Sequence, residues 1–347
     1  MRVTIKDIAA RAGVSKTTVS FALNDPKRIS EGTRKRVLEA VAELGYEPDS
    51  VARALATKRL GAIGLLLPQA LPEALENPYL CELMRGIGEV CEDHGVALSM
   101  LPPIRGMVEE AARRAAVDAI LAIGLGPDTE VSKILFRRHL PFVTIDGAAT
   151  GIVPNVGIDD EGAAEILMSH ILGLGHRRIG VLRLRAEAWT PQGDSDYSPV
   201  SHRRMAGFAG ALARHGIELG GPDAPYIVAV ESYEGGAEAA KRLLAEAEKP
   251  LTAIVAMADI VALGACDALR AKGYSLPLDM SVAGFDDIPL AGRASPSLTT
   301  IRQPGLEKGA SAARIAFELL EGGKPEGRSL DIALVEREST AVPRRIP

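Results

Sequence analysis

Cysteine is the first scarcity of this chain: Cys81, Cys91 and Cys266 are all it holds in 347 residues. They are odd in number and none stands in a CxxC pair, which argues against a disulfide framework and against a zinc site. They read as reduced thiols of a cytosolic protein. Aromatic residues are scarce too, at 4%, yet 47% of the chain is hydrophobic and regularly spaced, enough to bury a core. No apolar run reaches membrane-spanning length. A signal-peptide core is also missing, because Met1-Arg2-Val3-Thr4-Ile5-Lys6-Asp7 turns charged and helical at once. A cytoplasmic protein without a membrane partner is the expectation. The six histidines lack metal-ligand spacing, so neither metal nor cofactor is expected.

The net charge of -5 argues against a nucleic-acid partner until its distribution is read. Residues 1–60 hold twelve Lys or Arg against seven Asp or Glu, while the remainder holds 28 against 38. A basic head on an acidic body suits a localised polyanion-binding surface. Charge alone leaves open a solvated basic face on an ordinary domain. The length suits a small headpiece plus two core lobes.

The head has a definite pattern. Thr4 caps a first helix with Asp7 three residues on, and Ile5, Ile8 and Ala9 share one face. Gly13 allows a tight turn after Arg11. Ser15 caps a second helix from Lys16 to about Leu23, stopped by Asn24-Asp25-Pro26. Val19, Ala22 and Leu23 face inward on it; Lys16, Thr17, Ser20 and Phe21 face out. Ser30 caps a third helix to Leu44, with Val37, Leu38 and Val41 inward and Gly45 as its stop. Two short helices joined by a glycine turn and braced by a third form the helix-turn-helix plan. Small residues (Ser15, Thr17, Thr18, Ser20) let the second helix approach DNA closely, and its N-terminus aims N–H groups at phosphate. Thr4 and Asn24 complete the expected DNA surface.

The stretches TIKDIAARAGVSKTTVSFALN and ISEGTRKRVLEAVAELGYEPDSVARAL closely resemble the LacI/GalR family of bacterial transcription repressors. The resemblance continues over essentially the whole chain. It implies an all-α headpiece, a hinge helix, and an α/β two-lobed core like that of periplasmic sugar-binding proteins, with parallel sheets. It also implies a homodimer whose affinity for operator DNA changes when a small molecule binds. Base readers fall at Lys16, Thr17 and Phe21. Phe21 departs from the Arg or His frequent there; apolar contact to a thymine methyl and a staple within the headpiece both remain open. Leu55, in a short helix from Val51 to Ala56, matches the minor-groove wedge, and Arg53 is placed to hold phosphate. Asp49 departs from the Asn or Ser common in the family.

The expected organisation is residues 1–46 as DNA-binding headpiece, 47–60 as hinge and linker, and 61–347 as effector and dimerisation core. Lobe 1 covers about 61–154 and 290–320, and lobe 2 about 155–289 and 321–347. Strand-like runs alternate with helices through the core, the second set opening at Val156–Ile158. Ligands in such sheets sit beyond the carboxyl ends of strands. That rule selects Asp146, Asp259, Asp286 and the loop holding Trp189, with Arg204 opening the next helix. Carboxylates with an arginine suit a polyhydroxylated ligand, and an aromatic stacks on a sugar face. By resemblance, Asp146, Arg204 and Asp286 match effector-contacting positions, so the effector is expected to be a sugar or sugar derivative. Asp259 has capping the next helix as its competing role, and Trp189 has shielding the cleft. The absence of a terminal leucine heptad favours a dimer over a tetramer.

An enzyme is disfavoured. Gly173-x-Gly175 precedes a strand instead of following one, and no P-loop lysine is present. A periplasmic sugar-binding protein would share the core, but it needs an export signal and no basic head.

Overall fold

The computed structural model describes residues 3–24, 26–47, 54, 59–126, 128–148, 151–185 and 199–344. The chain divides into two compact units, Met1–Gly61 and Ala62–Pro347. The expected hinge helix with Arg53 and Leu55, the Asp49 departure and the Trp189 loop lie outside the described residues.

Among the described residues, the first unit has three α-helices, α1 (Ile5–Ala12), α2 (Lys16–Asn24) and α3 (Glu31–Leu44), with a single 3-10 turn, Pro26–Arg28, before α3. Local chemistry sets each boundary. The Asp7 carboxylate accepts from the Thr4 N–H at 2.9 Å and the Thr4 hydroxyl at 2.7 Å, which holds its pKa below the usual value. Gly13, at φ 67°, closes α1 in the left-handed region where a side chain is disfavoured. Ser15 Oγ accepts from the Thr18 N–H at 3.1 Å, and Ser30 Oγ from the Thr33 N–H at 3.3 Å. Ile8, Ala9, Val19, Ala22, Val37 and Ala40 form the core, with Leu23 and Val41 packed against it. Leu38 departs from the expected inward set and is 41% exposed. The inward stripe of α3 runs through 37, 40, 41 and 44, and position 38 lies roughly 100° around the helix from 37.

The second unit alternates strands and helices. Its elements are β1 (Ala62–Leu66), α4 (Leu71–Glu76), α5 (Pro78–Asp93), β2 (Ala97–Leu101), α6 (Val108–Arg114), β3 (Ala119–Ile123), α7 (Glu130–Arg137), β4 (Phe142–Ile145) and β5 (Asn155–Gly157). There follow α8 (Asp160–Gly173), β6 (Ile179–Leu184), α9 (Pro199–Ala213), β7 (Tyr226–Ala229), α10 (Tyr233–Glu246), β8 (Ala253–Ala256), α11 (Asp259–Ala271) and β9 (Ser281–Asp286). The last are β10 (Thr299–Arg302), α12 (Gly305–Leu320), β11 (Arg328–Ser329) and β12 (Ala333–Val335). Two six-stranded sheets result, in the orders β11-β5-β4-β3-β1-β2 and β12-β10-β9-β8-β6-β7. Among the described strands, every pairing is parallel except β10 with β12. Continuous apolar strands such as Ala119–Ile123, buried at every position, suit sheets covered by helices on both faces.

Strand membership departs from the sequence reading in three places. β11 was expected with residues 321–347 in lobe 2, but it pairs with β5 in the first sheet, Arg328 facing Val156. Val156 was expected to open the second set, but β5 pairs with β4 in the first sheet, Ile145 facing Val156. A short connection makes consecutive strands neighbours. Residues 299–302 were expected in lobe 1, but β10 pairs with β9, Thr300 facing Gly284, and Ile301 lies in the second lobe's core. The return to the first lobe comes after Arg302, where α12 packs on α5, β3 and β4.

Glycines set the spacing of α5 and α12. A Cβ on Gly86 would run into the Leu306 carbonyl oxygen, and one on Gly309 into that of Leu83. Both obstacles are backbone, so relief requires the helices to separate. Gly309→Ala is expected to cost about 1–3 kcal/mol, as overpacking of a tight core does. Urea unfolding of wild type and variant measures it, and an unchanged midpoint would contradict the tight contact.

Candidate functional site

Two sites emerge, one in each unit. In the first, Ser15, Lys16 and Thr17 are exposed, while Thr18, Ser20 and Phe21 are half-buried. Their outward positions leave a face of short side chains at the start of α2, beside Lys16. The Arg28 guanidinium lies over the Phe21 ring, 5.3 Å from its centroid. Phe21 therefore has a partner within the headpiece, in keeping with the staple alternative. Thr4 is bonded to Asp7 at the start of α1. Asn24 is the last residue of α2.

In the second unit, a cavity of about 50 Å³ lies where the carboxyl ends of the two sheets meet. Asp146, Arg204 and Asp286 all line it, so three of the expected effector residues converge there. Asp146 follows β4, Asp286 ends β9, and Arg204 lies in the first turns of α9. Asp146 and Asp286 hold positive φ, 56° and 125°, as does Asp287 at 58°. Non-glycine residues in this region carry backbone strain, which clusters at binding sites.

Arg204 is held firmly. Its Nε donates to Asp160 at 3.0 Å, its Nη1 to the Met257 carbonyl at 2.5 Å, and its guanidinium lies 3.6 Å from the Phe285 ring centroid. Arg203 donates to the other Asp160 oxygen at 2.7 Å and to the Asp146 carbonyl at 2.9 Å, joining the lobes. Burial would raise the Asp160 pKa, but the Arg204 and Arg203 guanidiniums reverse this and hold it below its usual value. The same pairing raises Arg204 despite its burial. Asp286 is different. Burial pushes its carboxyl up, Arg204 opposes this and Glu231 adds to it, leaving a pKa of about 7.

Asp259 does not line the cavity. It is fully buried, accepting from the Thr300 hydroxyl at 2.6 Å and the Ile288 N–H at 3.0 Å. It also makes no N-cap, since it is the first residue within α11 and Ala258 holds the cap position. Burial and the Asp286 charge push its pKa well up. Its role is to tie β10 to the loop after β9. The sequence rule placed it correctly at a strand end, but the side chain points back between strands.

The structure adds Tyr79, Gln303 and Lys308, which sequence reading missed. Lys308 is fully buried and donates to Asp146 Oδ1 at 2.5 Å, Gln303 Oε1 at 2.6 Å and the Tyr79 oxygen at 3.0 Å. The Tyr79 hydroxyl donates to Asp146 Oδ2 at 2.7 Å, and Gln303 Nε2 donates to Asp286 Oδ1 at 2.5 Å. Burial first, then the charge of Asp146, raises the Tyr79 pKa well above its ordinary value, so its hydroxyl remains a donor. Across the cleft, Asn77 donates to Glu231 at 2.8 Å. The strand-end rule picked the loop after β6 for Trp189, but Arg185 at its start lines the cavity, as do Gln69 and Glu231 beyond β1 and β7, to which the same rule extends. Among the described residues no group of His, Cys, Asp and Glu could hold a metal ion, and no helix is long and apolar enough to cross a membrane.

Comparison with known proteins bears on both sites. Residues 4–49 match the family model for bacterial regulatory proteins of the lacI family, and residues 168–340 a periplasmic binding protein-like domain. An HTH-type transcriptional regulator of Mycobacterium tuberculosis is 36% identical, the match covering 99% of this chain and 98% of that protein. The lac repressor dimer bound to operator and the anti-inducer ONPF superposes with a TM-score of 0.80 at 25% identity, covering 98% of this chain and 100% of the other. The regulator CelR in complex with cellobiose superposes with a TM-score of 0.69 at 27% identity, covering 97% and 100%.

Asp286 generates a pH signature. Its carboxyl titrates near 4 in an unfolded chain and at about 7 when folded. Between these values the folded state binds the extra proton, so the Asp286 contribution to stability is lost as pH rises through 7. The stability advantage of wild type over Asp286→Asn is expected to fall by about 1 kcal/mol between pH 6 and 8. Denaturant unfolding of both proteins at the two pH values measures the difference; a gap independent of pH would refute the assignment.

Proposed function

The chain belongs to the lacI family of bacterial regulatory proteins, and from that membership we propose that it is a transcriptional repressor binding a near-palindromic operator as a homodimer. A small neutral carbohydrate held between the lobes of residues 61–347 controls it. The observation that carries this reading is the presence, in one chain, of a basic helix-turn-helix and a polar cleft at the ends of two parallel sheets. Residues 1–46 read DNA and residues 47–60 form the hinge. The protein acts by binding alone, without catalysis or cofactor, in the cytoplasm where the operator is.

At the DNA, Lys16 and Thr17 lead the reading face. Lys16 donates to guanine O6 or N7, and Thr17 meets either a purine or a thymine methyl. Ser15, Thr18 and Ser20 keep the helix thin, Thr4 and Asn24 flank it, Phe21 borders it, and Arg53 and Leu55 serve phosphate and minor groove in the hinge. At the cleft, Asp146 and Asp286 accept from ligand hydroxyls, and Arg204 donates from the guanidinium edge that Asp160 and Met257 leave over. Trp189 remains the proposed stacking or shielding group. Asp259 is withdrawn to a supporting role.

Charge balance supports a neutral ligand. Arg185, Arg203, Arg204 and Lys308 stand against Asp146, Asp160, Glu231 and Asp286. With Asp286 about half-protonated near pH 7, a strongly anionic ligand would find at most about half a unit of unbalanced positive charge. The cavity of about 50 Å³ has room for a few waters and not for a sugar ring, so the lobes part to admit one.

Two measurements test the reading. With an operator selected from random DNA, Lys16→Ala is expected to weaken specific binding roughly tenfold or more while changing binding to random DNA much less, because a base contact is worth about 1–3 kcal/mol. Equal losses on both DNAs would remove Lys16 from base reading. For the cleft, calorimetry against a panel of monosaccharides and disaccharides is expected to find a binder, and Asp286→Asn to weaken it about tenfold or more, as loss of a charged acceptor does. Undiminished affinity would remove Asp286 from the site.

A further inference from the structure

We infer that Lys308 is a positioning residue that latches the two lobes together by fixing the amide of Gln303 between Asp146 and Asp286. An ammonium group has three donors and no acceptor. All three of its donors are used here, on Asp146, Gln303 and Tyr79. Because Lys308 only donates, it takes the carbonyl oxygen of the Gln303 amide. The amide nitrogen is then turned toward Asp286, to which it donates at 2.5 Å. Were Lys308 apolar, the amide would keep its bond to Asp286, but its carbonyl oxygen would lose the donor that ties it to the first lobe.

The partners come from separate parts of the fold. Tyr79 is in α5 and Asp146 follows β4, both in the first lobe, while Asp286 ends β9 in the second. Gln303 lies on the crossover between β10 and α12. The chain Tyr79–Asp146–Lys308–Gln303–Asp286 therefore runs continuously from one lobe to the other through a segment that connects them. Lys308 itself is fully buried and does not line the cavity, whereas its four companions do. It acts behind the wall, setting which atoms the wall presents. Arg203 to the Asp146 carbonyl and Asn77 to Glu231 are side contacts of the same closure. They join one lobe directly to the other and bypass the crossover.

The inference takes the cleft to be the ligand site, but its test uses neither ligand nor DNA, so failure of either reading is separable from failure of the other. Spin labels are placed on the full chain at Arg113→Cys in α6 and Glu248→Cys after α10, in a Cys81→Ser background. Both label positions are exposed and lie in different lobes. Pulsed electron–electron distance measurements on the ligand-free protein read the separation. Lys308→Met and Gln303→Met are each expected to lengthen and broaden the inter-lobe distance distribution while far-UV circular dichroism stays that of wild type. General loss of stability would lower the melting temperature without moving the distance in the folded protein. If Lys308→Met fails to fold, Gln303→Met decides, since it leaves the Lys308–Asp146 pair in place. A wild-type distribution in either folded variant would overturn the latch.

Discussion

The ion pair between Lys308 and Asp146 is the interaction on which the cleft depends. Both groups are withdrawn from water, the lysine completely, and desolvation of such a pair costs several kcal/mol unless every remaining donor and acceptor is matched. Here the matching is complete: Tyr79 takes one bond from the ammonium and gives one to the carboxylate, and Gln303 takes another. Each partner must therefore stand where it does. The N-terminus of α5 is held against α12, the crossover passes close to both, and the glycines Gly86 and Gly309 allow the helix contact that brings them there. A second set, buried Asp160 and Arg204 with half-buried Arg203, does the same for the other lobe.

Backbone geometry reinforces this. Asp146 and Asp286 occupy equivalent places at strand ends, each with positive φ. At these turns the Asp146 and Asp286 carboxylates reach Lys308 and Gln303, on and just before α12, while the Asp146 carbonyl meets Arg203 of the facing lobe. Strain of this kind persists only where surrounding bonds over-determine it. Lys308 and Tyr79 do so for Asp146, and Gln303 for Asp286. The arrangement is a pair of acceptors pre-aimed at one small volume, which is what a polyhydroxylated ligand requires.

Much of this was legible in the sequence because it rests on local signals. The headpiece caps at Thr4, Ser15 and Ser30, the glycine stops, and the strand–helix alternation all follow from nearest neighbours. Asp146 and Asp286 were found because strand ends are where ligands bind in such sheets. What escaped depended on long-range placement. Lys308 shares a helical face with Ala312 and Ala316, a buried stripe, yet its charge marks it as a surface residue until Asp146, 162 positions away, is seen beside it. The strand at 155–157 reads the same in either sheet, since three residues carry too little pattern to choose. Leu38 was drawn inward by its hydrophobicity, when helical phase puts Ala40 there. Asp259 obeyed the strand-end rule, but its side chain turned back to Thr300.

The closed cleft has a consequence for how a ligand acts. On the proposed reading, a ligand that enters only when the lobes part must draw on whatever fraction of the empty protein is open. Its apparent affinity is reduced by that fraction. Residues that hold the lobes closed and residues that hold the ligand therefore act on affinity with opposite signs. Loosening a closing contact such as Asn77 to Glu231 raises the population that admits ligand, while removing a ligand acceptor lowers affinity within every state. The direction of the change, more than its size, separates the two kinds of residue. It also places Lys308 on the boundary, because the same ammonium closes the cleft through Gln303 and aims the acceptor at Asp146.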